Sequence, residues 1–92
     1  MLERDVEAYF RKAVAAAGGV AFKFVSPSHR GVSDRIVCLQ GQTWFVELKR
    51  PGGRLSPLQR VFAAEMERPG LRYACLSSRK EIDQWLNGLT TR

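Results

Sequence analysis

Asp34, Glu47 and Lys49 are the side chains in this chain whose types and spacing could do chemistry. Asp34 closes the run Gly31-Val32-Ser33-Asp34, and the other two lie in Phe45-Val46-Glu47-Leu48-Lys49. On a strand, successive side chains alternate faces and rise about 3.3 Å per residue, so Glu47 and Lys49 share a face roughly 6.5 Å apart. Trp44, Val46 and Leu48 then take the opposite face and are available to a core. Phe45 shares the polar face and partly covers it. Antiparallel pairing about Gln40-Gly41 sets Asp34 opposite residue 47 or its near neighbours. Two carboxylates so placed make an oxygen-rich site for a hard cation, Mg²⁺ or Mn²⁺. Such a cation polarises a phosphate and lowers the pKa of a water. The neighbouring lysine can position that water or stabilise charge developing on phosphorus. The competing reading is an ordinary cross-strand charge set on a solvated face. An isolated Glu-x-Lys would favour it, but the upstream aspartate at hairpin distance favours a metal site and phosphodiester hydrolysis.

The elements that must position these groups are legible in the pattern. Leu2 to Ala17 reads as a helix with an apolar stripe at Leu2, Val6, Tyr9, Ala13 and Val14, ended by Gly18-Gly19. Val20 to Val25 reads as a strand, and Ser26 to Ser33 as a loop centred on His29 and Arg30. Asp34 to Leu39 and Gln42 to Lys49 form a hairpin. After Pro51-Gly52-Gly53, a helix runs from the cap Ser56 to Glu67, with Pro57 at its first position. Leu71 to Ser77 is a fourth strand. Ser78 opens a last helix with Glu81 completing a capping box and Ile82, Trp85, Leu86 and Leu89 on its apolar face. The order is α-β-β-β-α-β-α. The strand after a helix can pair parallel through a crossover, which gives an α/β fold with a mixed sheet flanked by helices.

Composition bounds the function. Ninety-two residues, 45% hydrophobic and 26% charged, imply one domain spanning residues 1–92. Fifteen Lys and Arg against nine Asp and Glu give a net charge of +6, a bias toward a polyanion, with nucleic acid first among candidates. Cys38 and Cys75 sit in apolar runs and read as small buried hydrophobes, not a disulfide or a zinc pair. No stretch approaches the length needed to span a membrane and no signal-peptide core is evident, so a cytoplasmic protein is expected. Nothing in the chain suggests an organic cofactor.

The chain resembles a stand-alone VRR-NUC domain (virus-type replication-repair nuclease), a branch of the PD-(D/E)xK nuclease superfamily. The resemblance runs through Glu3, Gly18-Gly19, Lys23-Phe24, Gly31-Val32-Ser33-Asp34-Arg35, Phe45-Val46-Glu47-Leu48-Lys49, Gly53-Arg54-Leu55-Ser56-Pro57 and Gln59. It implies a restriction-endonuclease-like αβββαβα core and metal-dependent DNA cleavage. Asp34, Glu47 and the main-chain carbonyl of Leu48 would be ligands of Mg²⁺ or Mn²⁺, and Lys49 the catalytic lysine. Gln59 matches the glutamine of the helix after the Glu-x-Lys strand, and Glu3 the acidic residue of the first helix. Ser33 stands where the family usually has proline, a residue that supplies rigidity and not a ligand. Small viral-type members look like junction-resolving enzymes, which implies a homodimer and a role in phage or mobile-element replication in a bacterial host.

Other residues carry two readings each. Ser56-Pro57-Leu58-Gln59 is itself a capping box, so Gln59 can serve the helix or the site. Glu3 and Glu7 lie one turn apart and periodicity does not choose between them; the resemblance chooses Glu3. Lys23, His29, Arg30, Arg35, Arg50 and Arg54 surround the site in sequence and form a candidate footprint for a DNA backbone. Trp44 and Trp85 belong to the core or to a dimer interface. The expected function is a nuclease for branched or structured DNA. A duplex-cutting or flap nuclease with the same site, or a catalytically silent DNA-binding module, are the alternatives.

Overall fold

The computed structural model describes residues 2–24, 34–67 and 71–90, with side chains at all of these but 66 and 67. Helix α1 (Glu3–Ala16) is followed by β1 (Val20–Lys23), β2 (Arg35–Leu39), β3 (Gln42–Leu48), α2 (Pro57–Glu67), β4 (Tyr73–Leu76) and α3 (Arg79–Thr90). The four strands make one sheet in the order β1-β2-β3-β4. The first three are antiparallel neighbours, and β4 lies parallel to β3 after the α2 crossover. The expected αβββαβα order and mixed sheet are therefore present.

Local chemistry explains the element ends. The α1 N-terminus is closed by Asp5, whose carboxylate accepts the Leu2 N–H at 2.9 Å. At its C-terminus the Gly19 N–H reaches back to the Val14 carbonyl at 2.9 Å and the Gly18 N–H to Ala15 at 3.0 Å. Gly18 takes the left-handed conformation this closure requires, with φ 88°. The β2–β3 hairpin turns at Gln40 (φ 52°) and Gly41 (φ 74°), the pair of positive angles that matches the strands' twist. That turn fixes the register Arg35↔Val46, Val37↔Trp44 and Leu39↔Gln42.

Register then sorts the side chains. Val37 and Leu39 of β2, Val46 and Leu48 of β3 and Leu76 of β4 share the face that packs against Val6, Phe10 and Val14 of α1 and Ile82 and Leu86 of α3. Trp85 lies between Phe10, at a ring distance of 6.0 Å, and Trp44, at 5.4 Å edge-on. Both tryptophans thus pack against the core, and of their two expected roles the structure gives them that one. The Tyr9 hydroxyl donates to Asp83 and the Arg79 guanidinium lies over the Tyr9 ring, tying α1 to α3.

The opposite sheet face is thinly covered. Helix α2 reaches it at β4, where Phe62 meets Tyr73 edge-on, while Leu58 and Val61 stay about half exposed. Over β1, Val20 and Phe22 are more than half exposed. Cys38 and Cys75 are exposed free thiols on this outer face, which corrects the expectation that they are buried. The reason is strand parity. Cys38 alternates with the core residues Val37 and Leu39, and Cys75 precedes the core residue Leu76, so each points away from the helices that seal the core.

Candidate active site

Strand β2 begins where β3 ends, so continuing the hairpin register by one step beyond Arg35↔Val46 places Asp34 opposite Glu47. Asp34 is anchored across that junction: its Oδ1 accepts the Leu48 N–H at 3.3 Å, and its carbonyl accepts the Phe24 N–H at 2.9 Å. Glu47 is only 4% exposed, although it lies on the thinly covered face. Its Oε2 accepts a hydrogen bond from Gln59 Nε2 at 3.0 Å and sits 3.6 Å from Lys49 Nζ. Its Oε1 is buried without a hydrogen-bond partner among the described residues.

Gln59 satisfies both of its sequence readings at once. Its side-chain oxygen accepts the Ser56 N–H at 2.8 Å while its own N–H donates to Ser56 Oγ at 3.2 Å, completing the capping box. The amide nitrogen left over is the group that reaches Glu47. Capping thus fixes which end of the amide faces the carboxylate. The start of α2 is set by the turn after β3, where Gly53 N–H donates to the Arg50 carbonyl at 2.8 Å and Gly52 has φ 79°. Pro51 at the second position and a positive φ at the third suit such a turn.

The electrostatics follow from crowding two acids in a half-enclosed place. Burial pushes the Glu47 carboxyl from 4.5 up to about 7, and the Asp34 charge pushes it the same way. Lys49 opposes that rise, and Glu3 adds a smaller upward push. Asp34 is also raised, first by burial, against the pull of Arg35 and of the Leu48 N–H, with Glu7 pushing it up. Glu3 and Glu7 therefore both act electrostatically on the site from α1: Glu3 is an exposed charge felt at Glu47, and Glu7 is felt at Asp34.

The chemistry of these groups suits a hard cation. A buried carboxylate oxygen with no donor, beside a second carboxylate, is costly unless a proton or a positive ion is supplied. Among the described residues no three His, Cys, Asp or Glu side chains gather as a metal cluster. The protein would offer two carboxylates and main-chain oxygen, with water and phosphate completing the shell, which is how Mg²⁺ is commonly held.

The remaining sequence candidates divide. Lys23, Arg50 and Arg54 are exposed. His29 and Arg30 lie outside the described residues. Arg35 is 5% exposed and its guanidinium is paired with Glu7 at 3.3 Å and Asp34 at 3.7 Å, so it is not available to a DNA backbone. Register explains the correction. Pairing with Val46 turns Arg35 toward α1, onto the core face. Glu7, which periodicity left level with Glu3, is the α1 acid in contact with this cluster.

No family model matches the chain. A solved structure described as a VRR_NUC domain superposes with a TM-score of 0.85 at 26% identity, covering 92% of this chain and 94% of its own. The chain carries the VRR-NUC fold. The chain is also 47% identical over 58 residues to "Putative nuclease p44" of Acyrthosiphon pisum secondary endosymbiont phage 1. The match spans 62% of each chain, so less than two thirds of that relative's length is covered. Among the described residues, no helix is long and apolar enough to cross a membrane.

Proposed function

We propose that this chain is a Mg²⁺- or Mn²⁺-dependent DNA endonuclease acting on branched or structured DNA, with its reaction centre at Asp34, Glu47 and Lys49. One observation carries the reading. In a VRR-NUC fold, Glu47 is buried with one oxygen unpartnered, across the hairpin from Asp34 and in contact with Lys49. Asp34, Glu47 and the Leu48 carbonyl would hold the cation. When bound, that cation supplies Lewis acidity to a phosphate oxygen and makes water a better nucleophile. Gln59 holds Glu47 Oε2, which leaves Oε1 as the oxygen for the cation. Lys49 contributes a fixed positive charge that positions the attacking water or stabilises the pentavalent phosphorus. Glu3 tunes the site through its charge. Lys23, Arg50 and Arg54 are exposed cations that would hold the phosphate backbone, with His29 and Arg30 assigned to the same role.

The substrate reading rests on charge and on what is missing. A net charge of +6 suits a polyanion. No helix with a base-reading pattern stands out in the chain, which favours recognition of DNA shape over sequence. Paired incision of a four-way junction calls for two sites, hence a homodimer. Because Trp85 is engaged with Phe10 and Trp44, the exposed apolar surface offered to a second copy includes Val20 and Phe22 on the sheet and Leu58 and Val61 on α2. The phage relative is consistent with action in the cytoplasm of a bacterial host.

The test is cleavage of labelled four-way junction, flap, splayed-arm and plain duplex DNA, alongside sedimentation of the protein. Symmetric metal-dependent incision of the junction by a dimer is the expected result. Equal cutting of every substrate would remove the junction preference, and a monomer at micromolar concentration would remove the dimer. DNA binding without cutting would leave a silent binding module.

A further inference from the structure

Arg35 is a buried guanidinium that contacts two acids from different parts of the chain. Its Nη2 lies 3.3 Å from Glu7 Oε2 on α1. Its Nη1 donates to the Asp34 main-chain carbonyl at 2.9 Å and lies 3.7 Å from the same residue's Oδ2. The Leu48 N–H holds the other carboxylate oxygen, Oδ1. Asp34 is thus held at both carboxylate oxygens and at its backbone carbonyl.

We infer that Arg35 and Glu7 are positioning residues that hold Asp34 in its ligating orientation. The inference rests on the metal-site reading above and adds two residues to it. The guanidinium fork is suited to this because two separate nitrogens held in one plane divide the task, Nη1 facing the carbonyl and Oδ2 of Asp34 and Nη2 facing Glu7. Glu7 has a separate, electrostatic part. An arginine facing Asp34 alone would cancel the negative charge a cation needs. Glu7 supplies the compensating charge, so the group Glu7–Arg35–Asp34 remains net negative. Helix α1, whose Val6 and Phe10 are fully buried, carries Glu7 into this contact, so α1 docking and Asp34 orientation are coupled. Partners that orient a ligand in this way typically change metal affinity by about 10–100-fold when removed.

The experiment is Mn²⁺ titration followed by electron paramagnetic resonance on the wild-type protein, Glu7→Gln, Arg35→Lys, the double variant and Glu47→Ala. Melting curves in EDTA and DNA affinity in EDTA accompany it. Glu7→Gln and Arg35→Lys should each weaken Mn²⁺ binding at least ~10-fold. The loss in the double variant should be smaller than the product of the two single losses, because Glu7 and Arg35 share one contact. Affinity for DNA without metal should be unchanged, since Arg35 is enclosed. The Glu7 side chain is 30% exposed, so Glu7→Gln carries the test even where Arg35→Lys does not fold. Wild-type Mn²⁺ affinity in folded Glu7→Gln would overturn the positioning role while leaving the metal site standing. Wild type and Glu47→Ala both failing to bind Mn²⁺ would overturn the metal site itself, and this role with it.

Discussion

Protonation of Glu47 should make the metal-free protein lose stability as the pH rises. Its carboxyl titrates at about 7 in the fold against 4.5 as the ordinary value. Below 4.5 both folded and unfolded chains hold the proton, and the contribution to stability is complete. Between 4.5 and 7 the folded chain keeps a proton that the unfolded chain has released, so stability falls as pH rises; above 7 the contribution is gone. The full span is worth ~3 kcal/mol, most of which lies between pH 5 and pH 8. At about 4–8 °C per kcal/mol for a domain of this size, the melting temperature in EDTA should drop by roughly 10–20 °C over that interval. Asp34, displaced in the same direction, adds to the slope with the same sign. Glu47→Gln keeps the shape and removes the titration, so its melting temperature should vary much less and exceed that of the wild type at pH 8. Saturating Mn²⁺ should reverse the wild-type trend, because the cation takes the place of the proton and competes best when the proton leaves easily. Melting curves at half-unit pH steps measure all three effects. A wild-type melting temperature that is flat from pH 5 to pH 8, or a slope retained in Glu47→Gln, would refute the reasoning.

Other expectations follow from single contacts. Gln59→Ala removes the acceptor of the Ser56 N–H and the donor to Glu47, and should cost about 1–3 kcal/mol in urea unfolding together with weaker Mn²⁺ binding. A Lys49→Met protein loses the charge that holds the Glu47 pKa down, so the pH at which Mn²⁺ binding becomes half-maximal should move upward while DNA cleavage is lost. Gly19→Ala would bring a Cβ to 2.8 Å from the Cys38 carbonyl and 3.0 Å from Leu39 Cδ1, and should destabilise the fold by ~1–3 kcal/mol without altering metal affinity.

The hairpin and the site at its open end were legible because they depend on local signals. Gln40-Gly41 sets the register, and strand alternation then puts Glu47 opposite Asp34 with no further information. A capping box fixes only one end of the Gln59 amide, which leaves the other end to reach Glu47. Charge and proximity to Asp34 point to Arg35 as a DNA contact, but strand parity turns it inward. The alternation that sends Val37 and Leu39 inward sends Arg35 inward too. Its partner Glu7 is a tertiary contact from another element, and helical periodicity alone could not separate it from Glu3. The two cysteines show the same effect in reverse: an apolar run is not uniformly buried when one face of the sheet lacks a full helix layer. The tryptophans needed the α1–α3 packing to be placed, which no short-range pattern specifies.

The central question is whether Asp34, Glu47 and Lys49 form a metal-dependent hydrolytic centre. The most direct test is cleavage of end-labelled four-way junction DNA by wild type and by Glu47→Gln, in Mn²⁺ and in EDTA, with binding to the same DNA measured in parallel. The prediction is cleavage by wild type in Mn²⁺ alone and none by Glu47→Gln, with both proteins binding the DNA equally. Cleavage that persists in EDTA, or that Glu47→Gln retains, would contradict it.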